Sequence, residues 1–260
     1  DGTYENLPKL YFYNNLFKFI KLKNNCGPGI ARNHGLKKSQ GKYVIFLDSD
    51  DMLIKNGIKK LLEEIQKKNY DIIYFNYKKK GSTQINLSRN KFTKENILKK
   101  YLRTELDMGP NFYLFRKEFL ITNKIFFKKG YYEDILFMLK VFTKMKNQGR
   151  CLLKAYIKNN NKFSITNTFS IRHVSDFNKA CLLKKKYFFS NIRGSFKSIN
   201  SSDLQFGLRG DYVFSNKILK KCSANKGKIN FNRLFYRKII SNKFVPLTTY
   251  DKIVKKELFS

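Results

Sequence analysis

A continuous apolar run that ends abruptly in acidic residues is the feature that most constrains the fold of this chain. Tyr43–Leu47 is apolar throughout and is followed at once by Asp48, Asp50 and Asp51. An uninterrupted run of this length is typical of a strand that is buried on both faces of a parallel sheet. Because ligands of open α/β sheets bind at the carboxyl ends of the strands, the three carboxylates lie where a site is expected.

The segments that follow this run predict alternating helices and strands. Ile58, Leu61, Leu62 and Ile65 recur at helical spacing, and Asp71–Tyr77 has the composition of the next strand. Strands and helices that alternate in this way indicate an α/β fold with parallel pairing. Further predicted elements are a strand at Phe17–Leu22, a turn at Asn24–Gly29 made tight by Gly27 and Gly29, a short helix from Ile30 closed by Gly41, a helix over residues 92–103, a strand at Asn111–Phe115, a helix carrying Ile135, Leu136, Leu139 and Phe142 that is entered through Glu133 and Asp134, and a mostly helical extension over residues 171–260.

The chain is strongly basic, with 54 Lys and Arg against 19 Asp and Glu and a formal net charge of +35. One interpretation is a polyanionic partner, either nucleic acid or an anionic membrane surface. The other is compositional, because Lys, Asn, Ile, Phe and Tyr all have A+T-rich codons and are abundant together. An apolar fraction of 42%, with 25 Phe and 16 Tyr, excludes a disordered polycation.

Several other classes of protein are excluded by composition and spacing. No apolar run approaches the roughly 18 residues that span a bilayer, and no secretory signal opens the chain. The four cysteines lie far apart without a C-x-x-C pair, and His34 and His173 stand alone. We therefore expect reduced, mostly buried thiols, and neither a zinc site nor a nucleophilic triad.

The acidic segment after the first run favours a divalent metal. Adjacent carboxylates repel one another unless a cation is present, and their oxygens suit Mg²⁺ or Mn²⁺ that also contacts phosphate. The alternative is a helix cap, with Asp50 or Asp51 capping the helix that begins near Ile54. A cap accounts for one of the carboxylates and leaves the other two unexplained.

Two ordered stretches resemble the family-2 glycosyltransferases. The first consists of NCGPGIARNHGL at residues 25–36 and GKYVIFLDSDD at residues 41–51, and the second of FRKEFL at 115–120, IFF at 125–127 and GYYEDILF at 130–137. A weaker third similarity runs from Tyr156 to Ser164-Ile165-Thr166. The resemblance covers residues 1–170 and implies an α/β, A-type nucleotide-diphospho-sugar transferase fold, with a Rossmann-like, mainly parallel sheet flanked by helices.

The same resemblance implies an inverting, metal-dependent hexosyl- or N-acetylhexosaminyl-transferase. Its donor is expected to be a UDP-linked nucleotide sugar, and its acceptor a lipid-linked or surface glycan such as lipooligosaccharide or capsule. Asp134 would be the general base, and Glu133 would shape its surroundings or touch the acceptor. Asp50 would hold Mn²⁺ or Mg²⁺ with Asp51, and Asp48 would support the metal or the donor ribose. On residues alone, helix N-terminal acids favoured by the macrodipole would account for Glu133 and Asp134.

Three donor-side residues are also implied. Arg32 and Asn33 would contact the donor phosphate or ribose near a helix N-terminus, with a solvent-facing Arg as the equal alternative. Family members open with a strand, a helix and a second strand, and this chain opens on Asp1-Gly2-Thr3, which resembles the end of that unit. We therefore expect an N-terminally truncated fragment in which Asp1 is the remaining nucleotide-side carboxylate.

The basic and aromatic extension over residues 171–260 has three interpretations. Its motifs KKKYFF at residues 184–189 and FYRKII at 235–240 could place cations on lipid headgroups, bind nucleic acid, or form an ordinary helical subdomain. Membrane association is favoured because lipid-linked acceptors require it, which predicts a cytoplasmic enzyme on the inner face of the membrane and no nucleic-acid partner. The rival functions are an inactive, truncated transferase and a non-catalytic protein that binds polyanions.

Overall fold

The computed structural model of the protein describes residues 16–79, 93–106, 109–159, 169–222 and 226–240. Its strands are β1 (Tyr43–Ile45), β2 (Met52–Leu53), β3 (Ile72–Lys79), β4 (Tyr113–Arg116) and β5 (Gln148–Lys158). Its helices are α1 (Pro28–Lys38), α2 (Lys55–Lys67), α3 (Lys94–Leu102), α4 (Lys117–Thr122), α5 (Asp134–Lys144), α6 (Ile171–Asn191), α7 (Ser201–Lys221) and α8 (Lys226–Ile240), and a 3₁₀ turn at Pro110–Phe112 leads into β4.

The described strands form one mixed sheet in the order β1-β4-β3-β5-β2. The α/β class is therefore confirmed, but only β3 and β5 pair in parallel, and the expectation of a mainly parallel sheet is wrong for these strands. β4 lies between β1 and β3 and runs antiparallel to both. Among the described strands β1 therefore has a single neighbour, β4; its residues are half-buried, and Leu47 beyond it is 48% exposed.

Most of the predicted helices are present, with small differences in their ends. α2, α3 and α5 lie where the apolar spacing predicts them, although Leu62 on α2 is 53% exposed. Gly41 does not close α1, which ends at Lys38 with Ser39 as its C-cap in an extended conformation. Phe17–Leu22 is not a strand, because none of the described strands pairs with it.

Aromatic side chains fill the space between the sheet and its helices. Phe46, Phe115, Phe127 and Phe137 form one cluster, in which the Phe127 and Phe137 rings stack at 3.9 Å between centroids. Large rings bury much apolar surface for each ordered side chain, so this cluster contributes strongly to stability. The Phe-rich composition thus supplies a packed core, as expected.

The helices α6 to α8 form the described part of the predicted helical extension and pack directly on the elements that precede them, while residues 241–260 lie outside the described residues. α6 contacts α5, and α7 contacts α3. A Cβ at Gly207 would lie 1.8 Å from the Leu102 carbonyl oxygen, so α7 can approach α3 this closely only with glycine at that position. The start of α6 coincides with the predicted boundary at residue 170, while the division of the chain into two domains stays a prediction.

The lysines predicted to face lipid headgroups lie mostly inside this helical layer. Lys184 is 1% exposed and its Nζ donates to Asp211 of α7 at 2.7 Å, and Lys185 Nζ donates to the Ile239 carbonyl oxygen at 2.7 Å. Phe188 and Tyr236 from the same two motifs are buried as well. The membrane interpretation of these motifs is therefore wrong for the buried residues, because each ammonium is satisfied by a partner on another helix.

Within the described ranges, no helix combines the length and apolar character needed to cross a membrane.

Candidate active site

The three acids after β1 occupy two different environments. Asp51 accepts hydrogen bonds at both carboxylate oxygens, from Tyr156 Oη at 2.5 Å and from the Asn159 backbone N–H at 2.8 Å. Asn159 also donates its side-chain amide to the Asp50 carbonyl oxygen at 2.6 Å. The N-cap of α2 is Ile54 and no side chain caps it, so the capping alternative for these acids is wrong. Asp51 instead anchors the acidic segment to the end of β5.

Tyr156 organises this anchor. Its hydroxyl donates to Asp51 and receives hydrogen bonds from Asn111 Nδ2 at 2.9 Å and from the Asp48 backbone N–H at 3.4 Å. Burial and the bond to Asp51 raise the pKa of Tyr156, so the hydroxyl stays protonated and keeps its donor role. The contributions of Asn111 and Asn159 have no local sequence signal, because their partners lie far away in the chain.

Arg32 joins the acidic segment to the second predicted motif. Its Nη2 donates to Asp48 Oδ1 at 2.8 Å, and its Nη1 donates to Glu133 Oε1. The guanidinium also lies over the Phe127 ring, 5.5 Å from its centroid. Burial opposes the positive charge, but the two carboxylates outweigh it and raise the pKa of Arg32. The solvent-facing alternative for this residue is therefore wrong, and the two motifs form one charged chain, Asp48–Arg32–Glu133.

Asn33 and Gly29 fit α1 against the segment that carries Glu133. The Asn33 amide donates to the Phe127 carbonyl oxygen and accepts from the Phe127 N–H, both at 2.9 Å. A Cβ at Gly29 would lie 2.6 Å from Glu133 Cγ, so Gly29 serves close approach inside α1 rather than the preceding turn. Gly27 has φ +80° and does make that turn. These two bonds give Asn33 a structural role, because they attach α1 to the segment at Phe127. Donor binding by Asn33 stays a prediction.

Asp134 is the first residue of α5 and directly follows Glu133, the last member of the Asp48–Arg32–Glu133 ion-pair series. Its partial burial and the neighbouring charge of Glu133 raise the pKa of Asp134 to about 7, against the opposing effects of Arg32 and the backbone N–H groups at the helix start. Tyr101 Oη donates to the Ile135 carbonyl oxygen at 2.6 Å and fixes this first turn from α3. A carboxyl group with such a pKa can accept a proton near neutral pH, as a general base must.

The three acids after β1 differ in how many of their carboxylate oxygens are available to bind a metal ion. No group of three or more metal-ligating side chains exists within the described part of the chain. Asp51 has both oxygens engaged, and Asp48 shares one oxygen with Arg32. Among the described residues, the Asp50 carboxylate has no side-chain partner. Asp50 and the second oxygen of Asp48 therefore suit a hard divalent cation that keeps most of its ligands from water and phosphate.

Some predicted residues take no part in this geometry. His34 is exposed on α1 and contacts none of the charged chain. Asp1 and the third similarity at Ser164-Ile165-Thr166 lie outside the described residues. All four cysteines are free, and Cys151 and Cys181 are buried whereas Cys26 and Cys222 are half-buried, so the expected burial holds for two of them.

Comparison with known proteins decides the family. The model described as "Glycosyl transferase family 2" matches residues 1–130, which is half of the chain. The chain belongs to glycosyl transferase family 2. The family assignment and the enzyme class predicted from the two motifs are thereby confirmed.

Two curated relatives of this family member span nearly all of its length. One is the poly(ribitol-phosphate) beta-N-acetylglucosaminyltransferase TarP of Staphylococcus aureus, 28% identical over 97% of this chain and 75% of TarP. The other is the cholesterol galactosyltransferase of Borreliella burgdorferi, 26% identical over 93% of this chain and 72% of that protein.

The fold matches solved structures of S. aureus TarS. TarS 1-349 aligns with a TM-score of 0.63 at 20% identity, over 84% of this chain and 62% of that one. The same protein in complex with UDP-GlcNAc aligns with a TM-score of 0.57 at 17% identity, over 93% of this chain and 78% of that one. These matches confirm the A-type transferase fold.

Proposed function

We propose that this family-2 enzyme transfers a sugar, with inversion, from a UDP-linked donor to a surface glycan or polyol-phosphate acceptor. The observation that carries the proposal is Asp134, a carboxyl group with a pKa near 7 that lies next to the Asp48–Arg32–Glu133 chain. This arrangement brings a candidate base close to the acidic segment at the end of β1. The non-catalytic polyanion-binding alternative treats these carboxylates as helix caps. Carboxylates that only cap helices would not need to be joined through Arg32, which argues against that alternative.

Asp134 serves in this proposal as the general base. One of its carboxylate oxygens takes the proton of the acceptor hydroxyl as the hydroxyl oxygen attacks the anomeric carbon. The bond from that carbon to the nucleoside diphosphate breaks on the opposite face, so the configuration at the carbon inverts. Glu133 keeps Arg32 in place and, by its charge, helps to hold the pKa of Asp134 high enough for this step.

Asp50, with the second oxygen of Asp48, would hold Mn²⁺ or Mg²⁺. When bound, such a cation neutralises the negative charge that develops on the departing nucleoside diphosphate. Asp51 contributes indirectly, because its bonds to Tyr156 and Asn159 fix the backbone on which Asp50 lies. Asp1 is retained as a proposed donor contact from the resemblance alone.

The relatives support the choice of substrates. TarP and TarS are named as N-acetylglucosaminyltransferases acting on poly(ribitol-phosphate), and TarS has been solved with UDP and with UDP-GlcNAc. The Borreliella relative is named for cholesterol, a lipid. We propose a UDP-N-acetylhexosamine or UDP-hexose donor. We also propose that the enzyme associates peripherally with the inner face of the cytoplasmic membrane. The net charge of +35 supports this association, whereas the buried lysines do not.

Two variants separate donor binding from transfer. Asp50→Ala should abolish the Mn²⁺-dependent part of UDP-GlcNAc binding in titration calorimetry, and unchanged binding would remove Asp50 from the metal site. Asp134→Asn should keep donor affinity but lower kcat by at least about 100-fold, the range of general-base catalysis. Glu118→Gln, an exposed carboxyl on α4 with a side chain 78% exposed, is the matched control and should leave both quantities unchanged. Near-normal turnover by Asp134→Asn would refute the proposed base.

A further inference from the structure

The three residues before Glu133 have an unusual backbone. Gly130 has φ +115° and Tyr132 has φ +59°, so the chain turns twice through the left-handed region immediately before the proposed base. For a tyrosine this conformation is costly, of the order of 1 kcal/mol or more, and it persists only where surrounding contacts impose it. The contacts that impose it therefore also set the position of Glu133 and Asp134.

Most of those contacts come from one face of α6. Four α6 residues with the spacing i, i+1, i+4 and i+5 lie together on the helix: Arg172, His173, Asp176 and Phe177. All four contact the turn at residues 130–132. The contacts are the Asp176 carboxylate accepting the Tyr131 N–H at 3.0 Å, the His173 ring stacked on the Tyr131 ring at 4.0 Å and 7°, the Arg172 guanidinium 5.6 Å from the centroid of the same ring, and the Phe177 ring packed edgewise on Tyr132 at 4.9 Å.

Asp176 is the polar centre of this face. It is the only acid in α6, a helix that otherwise carries several lysines. A Cβ placed on Gly130 would lie 3.2 Å from Asp176 Oδ2, so the turn and the carboxylate are fitted closely to each other. The hydrogen bond from Tyr131 to a carboxylate is charge-assisted and stronger than a neutral one. The α7 residue Phe214 adds a second ring beside Tyr132, at 6.1 Å.

We propose that α6 acts through Asp176 as a positioning element for residues 130–132, here called the catalytic turn because they lead directly into Glu133 and Asp134. The C-terminal helices would then contribute to the geometry of the active site. The proposal rests on the proposed role of Asp134 as base. Asp176 holds the Tyr131 N–H, and thereby places the Asp134 carboxylate within reach of the acceptor hydroxyl. Small displacements of a catalytic group can cost about 100-fold in rate, so the effect should appear in kcat.

The test compares Asp176→Ala with Asp176→Asn in the full chain, with UDP-GlcNAc as donor. Both variants lose the charge and the ion pair with Arg172, but only Asn keeps a side-chain oxygen that accepts the Tyr131 N–H. Asp176→Ala should lower kcat by about 10- to 100-fold with the donor dissociation constant unchanged. Asp176→Asn should recover most of that loss. The exposed α6 residue Lys186 provides the control Lys186→Ala, which should leave kcat unchanged.

Gly130→Ala provides a second route should Asp176→Ala not fold. The added methyl group presses on Asp176 and strains a residue at φ +115°, so the same selective loss of kcat is expected. Equal kcat for Asp176→Ala and Asp176→Asn, or a loss explained entirely by a lower folded fraction in thermal unfolding, would overturn the proposal. If Asp134→Asn is inactive while Asp176→Ala is fully active, only this inference fails. Full activity of Asp134→Asn refutes the proposed function itself.

Discussion

Replacing Asp134 by asparagine should stabilise the protein at neutral pH while it abolishes transfer. The pKa of Asp134 is about 7 in the folded protein, mainly because of burial, and 3.8 is ordinary for an unfolded chain. Below pH 3.8 the Asp134 carboxyl group is protonated in both the folded and the unfolded state, so burying it carries no charge penalty in the free energy of unfolding. Between pH 3.8 and 7 the unfolded chain releases the proton first, so the stability of the wild-type protein falls as pH rises. Above pH 7 the full penalty remains.

The size of this effect follows from the two pKa values. A rise from 3.8 to about 7 corresponds to an upper limit of about 4 kcal/mol in the free energy of unfolding. Water that reaches the partly buried side chain reduces this, and we expect about 2 to 4 kcal/mol at pH 8. Asparagine resembles the protonated acid in shape, so the advantage of the variant should vanish near pH 4.

Urea unfolding at a series of pH values between about 2 and 8 measures this difference directly. A constant difference between Asp134→Asn and the wild type over that range would refute the reasoning. Asp71→Asn is the control of opposite sign. Burial opposes the Asp71 charge, but the Lys146 N–H and Arg116 outweigh it and lower the pKa of Asp71. Its carboxylate therefore stabilises the protein above pH 3.8, and the deficit of this variant should shrink as pH falls below that value.

Gly29→Ala should move Glu133, because the new methyl carbon would lie 2.6 Å from Glu133 Cγ and 2.8 Å from the Lys128 carbonyl oxygen. We expect about 1 to 3 kcal/mol of destabilisation and about tenfold lower kcat, and an unchanged kcat would show that Glu133 tolerates the shift. Lys184→Met should cost about 3 to 5 kcal/mol in urea unfolding, since it leaves the buried Asp211 carboxylate unpaired. Adding Asp211→Leu should restore most of that loss, and failure to do so would mean that the pair itself stabilises the fold.

Local patterns predicted the elements that depend on local spacing. The apolar positions Ile135, Leu136, Leu139 and Phe142 predicted α5 because its buried stripe follows from residues three and four apart. The order of the strands was beyond such patterns. β4 inserts between β1 and β3 and pairs antiparallel with both, and such non-local pairing leaves no mark on an apolar run such as Tyr43–Leu47.

The site was predictable in its residues but not in its connections. The motifs identified Asp48, Arg32 and Glu133, yet the spacing along the chain does not say that one guanidinium joins both acids. The engagement of Asp51 by Tyr156, 105 positions away, was equally invisible. Charge patterning misled at Lys184, because its partner lies on another helix and a lysine run read alone resembles a solvated face.

The few acids of this chain are therefore the better guides to its structure. Asp176 is the single acid of α6 and holds the catalytic turn, and Asp211 neutralises a buried lysine. In a sequence with 19 acids against 54 basic residues, an isolated acid within a basic helix is a sign of a specific partner. Lysines carry less information here, because they are abundant everywhere.

The close packing of α7 on α3 bears on how enzymes of this family could diverge. Gly207 leaves no room for a side chain against the Leu102 carbonyl oxygen, so a larger residue at this position would push α7 away from α3. Because α6 packs against α7 and also contacts the turn before Glu133, such a shift of α7 would reach that turn through α6. New acceptor preferences could then arise by drift in the last third of the sequence, with every residue that touches the donor left untouched.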